Sequence, residues 1–171
     1  MTLQIILILP QILLTIPLVR AIALLVSLIL PACAVAQTVV VDGDTLKLDG
    51  RTIRLFGIDA PELHQACDQG QWLPGPLARA ALVDFIGGRP VECDAVTQDR
   101  YGRTVARCHA GADDLGALMV SAGWAWAFTR YSLDYVDAER RAAARGVGVH
   151  VHQCQRPDDY RAAVRAQSLR K

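Results

Sequence analysis

The sequence carries almost no net charge, and that excludes one way of acting on a polyanion. Its 18 Lys and Arg stand against 17 Asp and Glu, so no global basic field exists to hold nucleic acid nonspecifically. Any such chemistry must rest on a few placed residues. No internal repeat is present, which excludes a solenoid of stacked units. No low-complexity linker follows Ala36, which argues against a string of separate domains. The first 36 residues lack formal charge apart from Arg20. Their two apolar runs are separated by Arg20, and the first is broken by Pro10 and Pro17. Neither run comfortably reaches the ~20 residues of a spanning helix.

What those residues do hold is a leader. Ala21 to Ala32 has the length of a signal-peptide core, and Ala34-Val35-Ala36 supplies the small residues before a cleavage point. Residues 1–36 are therefore read as a signal peptide, with Gln37 opening a secreted or periplasmic protein. Three alternatives stay open: a retained membrane anchor, a translation start near Val19, and lipidation at Cys33 within Leu30-Pro31-Ala32-Cys33. The 171 residues less 36 leave 135, enough to bury a core. Four cysteines remain, and in a small exported domain they imply two disulfides from three connectivities. Cys93 and Cys108 flank one predicted hairpin turn, and adjacent strands bring Cα atoms into bridging range. Cys67–Cys154 follows by elimination.

Thr38 to Val41 is short and β-branched, and Asp42-Gly43-Asp44 is a turn signal. Thr45 to Leu48 alternates, Asp49-Gly50 marks a hairpin, and Thr52 to Ile58 is the return strand. Pro61 to Pro76 reads as a loop and Leu77 to Ile86 as a helix ending at Gly87-Gly88. Val91 to Val96 and Thr104 to Cys108 form a second hairpin around Asp99 to Gly102. Asp114 caps a helix ending at Gly123, and Ser132 or Asp134 opens another that runs to Gly146. The order predicts an α+β domain over 37–156, a small five-stranded OB-fold barrel with about three helices. Residues 157–171 form a polar C-terminal helix or tail.

Three clusters fall at strand ends: Asp42-Gly43-Asp44-Thr45, Arg54 with Asp59-Ala60-Pro61-Glu62, and Asp99-Arg100-Tyr101-Gly102-Arg103. Taken singly, each has a bland reading as a turn, a solvated acid or an outward strand residue. Together they hold what phosphodiester hydrolysis needs. Carboxylate and carbonyl oxygens can bind a hard divalent cation. Arginine forks match phosphate oxygens, and a spare carboxylate can activate water. Asp44 and Asp59 fit as ligands, Glu62 as base, and Arg54 and Arg103 as clamps. His150, His152 and Cys154 alternate, so on a strand they would share a face and could bind zinc. Their spacing falls short of known zinc sites.

Three stretches in this order resemble the staphylococcal nuclease (thermonuclease) family: Val41 to Thr45, Ile53 to Glu62 and Asp99 to Arg103. The resemblance covers most of residues 38–147, more loosely from Leu115 to Tyr131. It implies an OB-fold enzyme that binds calcium and hydrolyses DNA and RNA to 3′-phosphate and 5′-hydroxyl ends. Carried over residue by residue, Asp44, Asp59 and the Ala60 carbonyl would ligate Ca2+, with Asp42 in support. Glu62 would sit at the nucleophilic water, and Arg54 and Arg103 would hold the phosphate. Arg100 and Tyr131 would contact substrate, single-stranded regions being preferred. A monomer is expected, with no obligate protein partner. Departures lie near Thr129, where the family has a second tyrosine, and at Gly146-Val147-Gly148. Trp126 or Phe128 could stack a base instead. The alternative is a nucleic-acid-binding or envelope interaction module of the same fold without catalysis.

Overall fold

Alternating and β-branched segments build most of the strands. The computed structural model describes residues 37–170. The predicted leader, its expected cleavage point and Cys33 lie outside the described residues. In chain order the strands are β1 (Thr38–Val40), β2 (Thr45–Leu48), β3 (Arg51–Leu55), β4 (Ile58–Asp59), β5 (Val91–Gln98), β6 (Thr104–Ala110), β7 (Asp113–Asp114) and β8 (Trp126–Ala127). The helices are α1 (Pro74–Ile86), α2 (Leu115–Ser121), α3 (Val136–Arg145) and α4 (Pro157–Ser168). The main sheet runs β1-β2-β3-β6-β5, with β7 beside β6, and it curls into a half-barrel. Its β3–β6 pair is parallel and the other pairs are antiparallel. The α+β class and OB-like fold expected from the sequence are present.

The core fills the concave side. Leu46, Ile53 and Leu55 from the sheet meet Leu82 of α1 and Leu115, Met119 and Val120 of α2, all buried. Each such side chain contributes roughly 1.5–3 kcal/mol by leaving water. The predicted cap holds: Asp114 accepts the Ala117 N–H at 3.0 Å and starts α2. The third helix starts later than predicted, at Val136. Ser132 is spent on a turn, its Oγ accepting the Asp134 N–H at 3.0 Å, while Asp134 pairs with Arg107. The C-terminal helix spans Pro157–Ser168 as the polar pattern predicts.

One predicted strand is in fact two. The return strand stops at Leu55, and Gly57 takes a left-handed φ of 74°. That conformation suits a residue without Cβ. The chain then re-enters as β4 and pairs not with the main sheet but with β8, Asp59 opposite Trp126. Cys93 lies directly opposite Cys108 in the β5–β6 register, and the two are bonded. Cys67 pairs with Cys154, so both predicted pairings are those observed. The zinc reading fails on the same observation. Cys154 is taken by Cys67, and Gly148–Val151 is a 3-10 turn, not a strand.

Candidate active site

Alternation in β3 sends Ile53 and Leu55 inward, so Arg54 leaves the core on the other face. The turn at Gly57 then brings Asp59 back beside it. Arg54 Nη1 donates to Asp44 Oδ1 at 2.5 Å, and its Nη2 donates to Asp59 Oδ1 at 2.6 Å. Asp44 Oδ1 also accepts from the Thr45 hydroxyl at 3.0 Å, while Oδ2 accepts the Ala60 N–H at 2.9 Å. Asp42 supports the group through the Asp44 N–H, which its Oδ1 accepts at 3.0 Å. Both central aspartates are buried, Asp44 at 3 % and Asp59 at 2 % exposure. Burying two carboxylates is costly and is tolerated only when they are paired and hydrogen-bonded. Such a cluster at strand ends is a functional-site signature.

Glu62 stands at the rim of this cluster. Its loop is pinned by Gln65, which is fully buried. The Glu62 N–H donates to Gln65 Oε1 at 3.2 Å, and Gln65 Nε2 donates to the Gln155 carbonyl at 2.8 Å. Arg161 of α4 completes the group. Its Nη1 donates to Glu62 Oε1 at 2.7 Å and Asp59 Oδ1 at 3.1 Å, and its Nη2 to Asp59 Oδ2 at 2.8 Å.

Burial governs the electrostatics. It pushes the Asp42 carboxyl up to about 6, with the charge of Asp44 adding to the shift. Burial also raises Asp59, against hydrogen bonding from Arg161. For Arg54 and Arg161 burial works against the charge, yet their carboxylate partners outweigh it and hold both guanidinium groups above their usual range. The site therefore favours positive charge.

Asp44 and Asp59 carry oxygens of the kind a hard divalent cation takes, and the Ala60 carbonyl is the expected third donor. The guanidinium of Arg161 already rests as a cation on Asp59 and Glu62. Among the described residues no three His, Cys, Asp or Glu side chains are grouped as a metal site. The expected set has only two carboxylates, its third donor being backbone.

Arg103, Arg100 and Tyr131 are not drawn into this group. Arg103 Nε donates to Asp99 Oδ2 at 2.7 Å, within its own hairpin turn. Its position is nonetheless close in the sheet, because Arg54 pairs in register with Val105, two residues further on. Arg100 donates to the Tyr101 hydroxyl at 2.8 Å and lies over that ring. Tyr131 is exposed and packs against Phe128, with ring centroids 5.2 Å apart. A cleft of about 360 Å³ runs from Asp59 past Phe128 and Thr129 to Arg156. Phe128 thus offers an aromatic face near the acids. Trp126 is buried at 6 % exposure and is not free to stack a base.

Sequence reasoning did not find Arg161 or Gln65. Arg161 is one of several arginines on a polar helix, and nothing in its spacing marks it out from Arg165. Gln65 lies in an aperiodic loop, where burial leaves no local signal.

Comparison with known proteins places the chain in a family. A family model described as staphylococcal nuclease homologue matches residues 52–149, more than half of the chain. The match takes in Arg54, Asp59, Glu62 and Arg103, and leaves out Asp42, Asp44 and Arg161. A Haemophilus influenzae protein described as an uncharacterized endonuclease is 35% identical over 98 residues, which is 56% of this chain and 51% of that protein. The chain thus spans about half the length of that relative.

Proposed function

The chain belongs to the family of staphylococcal nuclease homologues, and we propose that it is a calcium-dependent endonuclease hydrolysing phosphodiester bonds of DNA and RNA. Cleavage leaves 3′-phosphate and 5′-hydroxyl ends. One observation carries the reading: Asp44 and Asp59, both buried, share Arg54 with Glu62 close by. A fold alone would not suffice, since folds host many functions.

Asp44, Asp59 and the Ala60 carbonyl would hold the cation, with Asp42 behind them. A bound calcium ion would supply positive charge against the phosphate oxygens. Glu62 orients a water and takes its proton as the water oxygen bonds to phosphorus. The bond from phosphorus to the 5′-oxygen breaks, and that oxygen takes a proton from solvent water as it leaves. Arg103 through its planar fork, and Arg54 through the guanidinium hydrogens not given to Asp44 and Asp59, stabilise the charge gathering on the equatorial oxygens. Arg103 must leave Asp99 to do so, and Arg100 and Tyr131 hold flanking nucleotides. Phe128, beside the cleft, can stack a splayed base, which supports a preference for single-stranded regions.

The leader pattern and two disulfides support a secreted or periplasmic protein. The competing reading is a binding module without catalysis. Incubating the purified protein with single-stranded DNA, with calcium or with chelator, separates the two. Cleavage that survives the chelator sinks the calcium dependence. Binding without cleavage at any calcium concentration establishes the binding module.

A further inference from the structure

The acids that the proposed reaction needs free are engaged by a residue from the other end of the domain. Arg161 stands 102 residues from Asp59 and 99 from Glu62 in sequence. Its guanidinium takes both oxygens of Asp59 and one of Glu62. Asp59 Oδ1 already accepts from Arg54, so its two lone pairs are spoken for. A divalent cation seated on Asp59 would lie almost in contact with that guanidinium, and like charges at such range repel strongly.

The helix that carries Arg161 is built to let go. Its base is fastened by Cys67–Cys154, by Gln65 on the Gln155 carbonyl at 2.8 Å, and by Asp68 on the Gln153 N–H at 2.7 Å. Beyond the base, the only buried residue of α4 is Pro157. Arg161 itself is about a third exposed, at 31 % of its side chain. Its ion pairs and a 3.3 Å hydrogen bond from the Tyr160 hydroxyl to the His64 carbonyl hold the middle of the helix. A cleft between Glu62-Leu63-His64 and Tyr160-Arg161-Val164 leaves room for the side chain to withdraw.

We propose that Arg161 is a tethered competitor for the cation, and that α4 acts as an autoinhibitory latch which calcium must displace from Asp59 and Glu62. The proposal rests on reading Asp44 and Asp59 as cation ligands. Without the cation, Arg161 neutralises the buried acids and occupies the base. With it, the guanidinium withdraws and Glu62 is released. The latch therefore sets the calcium concentration at which the site opens, because the ligand must bind one state better than the other to shift them.

The test is calorimetric calcium titration of the full protein without nucleic acid, comparing wild type with Arg161→Gln. Arg165→Gln is the control, since it lines the same cleft and makes no ion pair among the described residues. Arg161→Gln should bind calcium on the order of tenfold more tightly, the scale of a partly exposed ion pair to two acids, while Arg165→Gln matches wild type. Hydrogen exchange on the unmodified protein gives a second reading that needs no variant. Calcium should speed exchange of the amides in α4 and leave those of β6 unchanged. If wild type binds calcium while Arg161→Gln binds it no more tightly, or α4 stays equally protected, the latch is overturned and the cation site stands. If neither protein binds calcium, both readings fall.

Discussion

Gly75 packs so closely on Glu62 that a Cβ at position 75 would lie 2.2 Å from the Glu62 carbonyl oxygen. No real side chain tolerates that distance, so the first turn of α1 acts as a mould for the loop bearing the proposed base, Glu62. Gly75→Ala must push the Glu62 backbone away or open the helix start. It should lower stability by about 1–3 kcal/mol, the usual range for overpacking. Cleavage should fall more than tenfold, because small displacements of a catalytic group are costly. Thermal melts and initial rates measure the two effects. A variant as active as wild type would show that Glu62 needs no such placement.

Glu62 and Arg103 separate an enzyme from a binding module. Neither is in the core, so replacing them should alter folding little. Glu62→Gln removes the oxygen proposed to take a proton from water, a contribution of about 10²–10⁴-fold. Arg103→Lys keeps the charge but loses the fork, a loss on the order of 10²–10³-fold. Each variant is expected to cleave single-stranded DNA at least about a hundredfold more slowly while melting near the wild-type temperature. Wild-type rates in both would place the chemistry elsewhere.

The two disulfides should differ in their worth. Cys67–Cys154 closes 87 residues and Cys93–Cys108 closes 15. Loop-closure entropy gives about 4.6 kcal/mol for the longer span and about 3 kcal/mol for the shorter. Replacing Cys67 and Cys154 by Ser should therefore lower the urea midpoint further than replacing Cys93 and Cys108. It should also expose α4 to proteolysis, since that bridge fastens the base of the helix. Equal midpoints would argue that the unfolded chain does not set the difference.

His150 makes stability sensitive to mild acid. Burial lowers its pKa below the usual histidine range, and its Nε2 is buried with no hydrogen-bond partner among the described residues. The unfolded chain therefore takes up a proton at a higher pH than the folded one. That stabilising term is fully present above the unfolded value near 6.5 and is lost as pH falls through the folded value. Urea unfolding between pH 7.5 and 5 should show wild type losing more stability than His150→Phe, which keeps a ring against Trp126. Parallel profiles for the two proteins would refute this role for His150.

What the sequence alone determined was whatever local chemistry writes down. Asp49-Gly50 announced a hairpin, Asp114 a helix start, and the hairpin flanks the Cys93–Cys108 pair. Arg54, Asp59 and Glu62 were legible as a group because one strand and the loop after it carry all three. Tertiary structure alone decided where that strand breaks, since Gly57 turns Asp59 out of the main sheet toward Trp126. It also decided that Arg103 rests on Asp99 and that Arg161 occupies the acids instead. An ion pair spanning about a hundred residues leaves no period or motif behind it. Its partners are chosen by how the half-barrel and its last helix are folded and fastened together, and no spacing in the chain encodes that distance.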